Sequence, residues 1–276
     1  MDSLPQQQLR GGRAHYDTNY GHFQTALYEE IRREAFGEDI GQNSWLTAGE
    51  QDALIRWLDL APGKRLLDVA CGAGGPALRI AAMTSCSIVG VDAHEQAIST
   101  AQSLAVQRGL GTRAHFQHAD AQLPLPHPDE SFDAITCIDA INHLADRPRV
   151  IAEWTRLLKP GGRMLFTDPI VVTGPLTNAE IAVRSSIGFF LFVPPGYDEH
   201  VIAEHGLRLL AREDVTANMA MIAERRCAAR ASRSAALREI EGEQTYVAQQ
   251  DFLETAARIA KEGRLSRFLY VAERVR

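Results

Sequence analysis

The sequence predicts an α/β fold built on a doubly wound, largely parallel sheet. From residue 65 onward, short apolar runs of strand length alternate with stretches of helical periodicity. That alternation implies right-handed crossovers and helices on both faces of the sheet. An aspartate also stands at or just past the end of each of the first five runs: Asp68, Asp92, Asp120, Asp139 and Asp168. Ligands of such sheets collect at the carboxyl ends of the strands, so the acids mark a binding edge.

The elements follow in order. The stretch ending in Leu9-Arg10-Gly11-Gly12 is polar and unpatterned and reads as a loose end. Apolar residues at three- and four-residue spacing from Thr25 to Glu34 and from Glu50 to Leu60 predict two helices, so residues 1–60 are expected to form a helical cap or lid. Residues 61–276 are expected to form the main domain. Its strands are predicted at Arg65 to Val69, Ser87 to Val91, Ala114 to Gln117, Ala134 to Ile138 and Arg163 to Thr167, with a sixth at Leu207 to Asp214 and a last at Arg267 to Ala272. Lys159-Pro160-Gly161-Gly162 reads as a helix stop and turn without chemistry. Glycine and proline punctuate Pro169 to Gly196, and a short helix is expected near His200 to His205. Helices over Thr216 to Glu241 and Val247 to Lys261 form an insertion between the sixth and last strands, giving further cap elements at about 170–206 and 215–262.

Composition narrows the function. A chain of 276 residues, 45% of them hydrophobic, can bury one large domain and an elaboration of it. The net charge of −6, with basic residues scattered until Arg225 to Arg238, argues against a nucleic-acid partner. Cys71, Cys86, Cys137 and Cys227 form neither a CxxC pair nor a disulfide framework, and Cys71 and Cys137 read as small core residues in a reducing cytoplasm. The longest apolar run, Ile187 to Val193, is far short of the roughly 20 residues of a membrane span, and the N-terminus lacks an apolar signal core. A cytoplasmic protein with no membrane partner is expected.

Leu66 to Pro76 is a strand feeding a glycine turn and then a helix, with Gly72 and Gly74 spaced as in a dinucleotide fingerprint and Asp92 falling 20 residues after Gly72. A nicotinamide or flavin oxidoreductase is therefore a rival reading. Asp68 weighs against it: a carboxylate immediately before the loop repels a pyrophosphate but can hold the ammonium of a methionine moiety. Asp92 can accept from ribose hydroxyls, which suits both cofactors. Asp120 is placed to accept from an adenine amino group, and such a third acidic stop belongs to S-adenosylmethionine sites.

The runs Leu66 to Gly74, Val89-Gly90-Val91-Asp92, His118-Ala119-Asp120-Ala121, Ser131-Phe132-Asp133-Ala134 and Arg156 to Gly162 resemble the successive motifs of class I S-adenosylmethionine-dependent methyltransferases, over about residues 64–168. The resemblance implies a Rossmann-like seven-stranded sheet with an antiparallel last strand. It implies S-adenosyl-L-methionine as cofactor, held by Asp68, Ala70, Gly72, Gly74, Asp92, Ala93, Asp120, Ala121 and Ile138, with Gln42 and Tyr16 from the cap. Within the class, the chain is similar to small-molecule enzymes such as phosphoethanolamine and sarcosine/dimethylglycine N-methyltransferases. Its expected partner is a small-molecule acceptor, and a homodimer stays open as its assembly.

Methyl transfer from a sulfonium is an in-line displacement, so the protein must position the acceptor and exclude water; a base matters only if the nucleophile carries a proton. Asp139 and His143, four residues apart where the fourth strand enters a helical turn, are expected to share one face and act as a unit. The run Asp139 to Leu144 resembles the catalytic run of phosphoethanolamine methyltransferases, where the histidine pairs with an N-terminal tyrosine. That likeness makes His143 the candidate base and Tyr20 or Tyr16 its partner. His115, His118 and His127 lack any known ligand spacing, so no metal is expected. Methyl transfer to nitrogen or oxygen ranks ahead of C-methylation, and a non-catalytic cofactor-binding module is the remaining alternative.

Overall fold

The computed structural model describes Tyr16 and residues 19–275; the polar stretch through Gly12 lies outside the described residues. Seven strands, β1 (Arg65–Val69), β2 (Ser87–Asp92), β3 (Ala114–His118), β4 (Phe132–Ile138), β5 (Leu158–Val172), β6 (Leu207–Asp214) and β7 (Leu265–Arg274), form one sheet in the order β3-β2-β1-β4-β5-β7-β6. Strands β1 to β5 pair in parallel, and β7 lies antiparallel between β5 and β6. The chain winds outward from β1 to β3, then returns to place β4 on the other side of β1. A crevice must open at that reversal, because the two crossovers leave in opposite directions.

The helices, in chain order, are α1 (Ala26–Phe36), α2 (Ala48–Ile55), α3 (Gly75–Thr84), α4 (Glu95–Gln107), α5 (Arg147–Leu157), α6 (Asn178–Arg184), α7 (Tyr197–Glu204), α8 (Thr216–Ala231), α9 (Ser234–Glu241) and α10 (Glu243–Lys261). Alternation along each strand sends Leu67, Ile135 and Phe166 toward α5 and α7. Their neighbours Leu66, Ala134 and Leu165 point toward α2, α3 and α4. Above the binding edge, Ala35, Phe36, Trp45, Ile187, Met219 and Phe252 join segments distant in sequence into a separate apolar cluster.

Several boundaries differ from the sequence reading. The second expected helix stops at Ile55 and gives way to turns, α6 forms inside the punctuated stretch, and Thr216 to Glu241 breaks at Ser232-Arg233 into α8 and α9. Strand β5 continues to Val172, so Asp168 lies within it, fully buried. Arg147 Nη1 donates to Asp168 (2.5 Å) and to Asp198 (2.6 Å), tying β5 to α5 and α7. Asp168 thus braces the fold and does not mark the ligand edge.

The cap meets the sheet domain at a glycine. A Cβ on Gly75 would collide with the carbonyl oxygen of Ile40 and stand 2.6 Å from that of Gly41. These are main-chain atoms, which cannot swing aside as a side chain could. Gly75→Ala should therefore cost about 1–3 kcal/mol of stability through overpacking. Gly49→Ala, at an exposed α2 position with open space around a Cβ, should gain about 0.5–1 kcal/mol. Urea denaturation of both variants checks this, and shifts of the same sign would refute the packing argument.

Candidate active site

A cavity of about 640 Å³ opens at the β1/β4 reversal, a size suited to small ligands. Its floor is the turn after β1. Ala70 takes a left-handed φ of 55° and so does Gly72, which bends the chain sharply before α3 begins. Tyr20 lies over that turn: a Cβ on Gly72 would stand 2.8 Å from its hydroxyl.

Two acids face this space. Asp92 accepts from the Gly72 amide (2.9 Å) and the His94 amide (2.9 Å), leaving further lone pairs on each oxygen. Asp68 accepts from Thr136 Oγ1 (2.7 Å) at the neighbouring strand. Burial, with Asp92 adding repulsion, pushes the Asp68 carboxyl up to about 7. Among the described residues no lysine or arginine pairs with either acid. Asp120, at the outer rim, is exposed, and its Oδ1 accepts from the Gln122 amide (2.9 Å). Such a wall fits S-adenosylmethionine: an acid for a cationic amine, another with oxygens for a diol, a rim acceptor for an amino group, and glycine where a side chain would intrude. Ala93, Ala121 and Ile138 complete the lining.

The expected Asp139–His143 unit does not form. Asp139 takes a left-handed φ of 55°, and only a single 3₁₀ turn, Ile141–His143, follows. The i,i+4 alignment needs continuous α geometry, so the two side chains part. Asp139 instead accepts from the Trp45 amide (2.8 Å), Thr167 Oγ1 (2.7 Å) and Arg267 Nε (2.6 Å). Arg267, fully buried, also donates to Glu50 (2.5 Å) at the start of α2.

His143 finds other partners. Its Nδ1 lies 2.9 Å from the Phe189 carbonyl and its Nε2 3.1 Å from the Tyr16 hydroxyl. A carbonyl only accepts, so Nδ1 carries the proton. Burial lowers the imidazole to about 4 and keeps it neutral, which makes Nε2 an acceptor for the Tyr16 O–H. Burial also lifts Tyr16 to about 12, so it retains the proton it donates. Tyr16 and not Tyr20 is thus the partner of His143.

Other expected residues fall outside the cavity wall. Gln42 is buried, its Oε1 accepting from the Ile40 amide (2.8 Å) and its Nε2 donating to the Glu38 carbonyl (3.2 Å). Gly74 makes room for Ala101 and Phe116, each 2.8 Å from where its Cβ would be. Cys71 lines the cavity and Cys137 is buried beneath the sheet surface; burial pushes both thiols well up, which leaves them unreactive. His118 Nε2 donates to the Ala93 carbonyl (3.0 Å) while His127 packs edge-on against Phe132, and no metal-like cluster exists among the described residues. The reading missed Thr136, Thr167, Glu50 and Arg267. Only Arg267, a lone cation at the head of an apolar strand, left a signal, since such a charge must find buried partners.

Residues 67–166 match the family profile of a methyltransferase domain. The chain is 30% identical over 201 residues to 27-O-demethylrifamycin SV methyltransferase of Amycolatopsis mediterranei (strain S699), covering 68% of this chain and 74% of that one. It is 33% identical over 204 residues to methyltransferase GfsG of Streptomyces halstedii, covering 68% and 72%. Phosphoethanolamine N-methyltransferase 2 of Haemonchus contortus, solved with phosphomonomethylethanolamine and S-adenosylhomocysteine, superposes with a TM-score of 0.78 at 19% identity over 95% of this chain and 60% of that one. With its seven-stranded sheet, its acidic strand ends and these relatives, the chain belongs to the S-adenosylmethionine-dependent methyltransferases.

Proposed function

We propose that this enzyme methylates a hydroxyl oxygen or an amine nitrogen of a small-molecule acceptor, with His143 taking the acceptor's proton through Tyr16. The observation that carries the reading is the hydrogen-bonded series Tyr16–His143–Phe189 carbonyl at the cavity wall. The cofactor supplies an electrophilic methyl on a sulfonium. Asp68 holds its ammonium, Asp92 its ribose hydroxyls and Asp120 its adenine amino group. Tyr20 covers the glycine turn, Tyr16 lines the cavity beside it, and together they exclude water.

The acceptor's lone pair forms the new bond to carbon while the carbon–sulfur pair returns to sulfur. The departing proton goes to Tyr16 oxygen as Tyr16 passes its own to His143 Nε2, and the Phe189 carbonyl steadies the imidazolium through Nδ1–H. A base lowered to about 4 cannot strip an ordinary ammonium or alcohol beforehand. It can accept from an oxygen made strongly acidic by the bond forming to it. That mismatch favours a hydroxyl acceptor, and the rifamycin relative's name points to oxygen as well.

His143→Ala should slow turnover by about a hundredfold or more while cofactor affinity stays within a few-fold, and Tyr16→Phe, which breaks the same relay, should slow it comparably. S-adenosylhomocysteine release with a hydroxyl- and amine-bearing library measures this. Unchanged turnover in His143→Ala would remove the base.

The two shifted groups predict different pH profiles. The cofactor ammonium needs Asp68 ionised, so below about pH 7 the proton competes and affinity should fall, approaching tenfold per unit. His143, neutral above about 4, should leave the maximal rate flat from pH 6 to 8. Calorimetry and rate profiles on one preparation test both; an affinity indifferent to pH would take Asp68 out of the ammonium site.

A further inference from the structure

Beyond Tyr16 and His143 a small chamber of about 50 Å³ continues away from the cofactor cavity. Two guanidiniums line it. Arg184, at the end of α6, is 1% exposed, and its Nε and Nη1 have no hydrogen-bond partner. It sits 4.3 Å above the Phe252 ring. Arg226, from α8, lies 5.5 Å over Trp45.

Arg226 is half-buried, and among the described residues every buried arginine other than Arg184 has an acid. Arg147 has Asp168 and Asp198, Arg267 has Asp139 and Glu50, Arg230 has Glu241 and Arg32 has Asp39. A buried cation without a counter-charge is costly, and aromatic faces offset only part of that cost. Burial lowers Arg184 to about 9 and, with the neighbouring charges of Arg230 and Arg32, lowers Arg226 to about 10; among the described residues Tyr16 opposes both shifts. Asp139 also lines the chamber, but its oxygens are taken by the Trp45 amide, Thr167 and Arg267, and among the described residues no carboxylate pairs with Arg184 or Arg226.

We propose that this chamber binds an anionic group, a carboxylate or a phosphate, carried by the methyl acceptor. The geometry has a simple use. An acid group anchored between Arg184 and Arg226 brings the next atoms of the acceptor to the Tyr16–His143 wall, which both spaces share. The inference rests on the reading of that wall as the place of methyl transfer. It adds the class of acceptor: a compact acid bearing a nucleophile, in place of a neutral or cationic molecule. A planar guanidinium can meet either anion with two parallel hydrogen bonds.

The test uses the full chain saturated with S-adenosylhomocysteine, so that the cofactor's own carboxylate is already accommodated. Benzoate and phenyl phosphate are titrated by calorimetry against benzamide, a neutral isostere of benzoate. At least one anion should bind about tenfold or more tightly than benzamide, and Arg184→Met and Arg226→Met should each erase about tenfold of that while leaving S-adenosylhomocysteine within about twofold. Arg184→Lys, which keeps the charge and loses the fork, should retain part of the preference and stands in if Arg184→Met does not fold. Equal binding of benzoate, phenyl phosphate and benzamide by the wild-type chain overturns the proposal without any variant. So does a loss of S-adenosylhomocysteine affinity in both Met variants with anion binding unchanged, which would hand the guanidiniums to the cofactor. Because the readout is binding, failure to methylate hydroxyls or amines would leave an observed anion preference standing, and methylation without that preference would leave only the acceptor class refuted.

Discussion

The buried guanidinium of Arg267 is the constraint on which the site's geometry depends. It comes from β7, the antiparallel strand, and binds Asp139 at the end of β4 and Glu50 at the start of α2. Asn218 of α8 donates to Glu50 as well and to the Trp45 carbonyl, while Asp139 receives the Trp45 amide. One charge therefore gathers the sheet, the N-terminal cap and the inserted helices. Removing a member of such a group strands charge in the interior, at a cost of about 3–5 kcal/mol. Held this way, Asp139 keeps its left-handed backbone, and the short turn behind it presents His143 to Tyr16.

That arrangement explains how far the sequence could be read. Strand positions and the acidic residues after them follow from local alternation and from short loops, which a linear pattern records well. Asp68, Asp92 and Asp120 were legible for that reason. The Asp139–His143 pairing was misread because spacing predicts a shared face only if the backbone is helical, and a distant arginine decided otherwise. Asp168 was misread because β5 runs on past it toward Arg147. Gln42 and Gly74 satisfy needs of the backbone and of helix packing that their sequence neighbours do not announce. The choice between Tyr16 and Tyr20 depended on how the cap crosses the glycine turn, again a property of tertiary packing.

Charge is divided across the site. Among the described residues, Asp68 and Asp92 lie on the cofactor side without lysine or arginine partners, and Arg184 and Arg226 lie on the far side without acids. Tyr16 and the neutral His143 stand between them, uncharged and able to pass a proton. This division of charge is what the proposed placing of a sulfonium-bearing cation on one side and an acidic acceptor group on the other would use. On that proposal, orientation and charge recognition of the acceptor are served by the same residues.

Arg267 lies in β7, whereas Asp139 and Glu50 precede it by more than a hundred residues. During synthesis on a ribosome, both acids emerge long before the cation that neutralises them. Until β7 slots between β5 and β6, Asp139 has Thr167 and the Trp45 amide but no counter-charge, and Glu50 of the cap likewise lacks its cation. The Asp139–Arg267–Glu50 group is therefore complete only when the sheet is. A chain deprived of β7 would keep both acids at the edge of the cavity without their cation, so the strand that finishes the sheet is also the one that balances the charge beneath the binding edge.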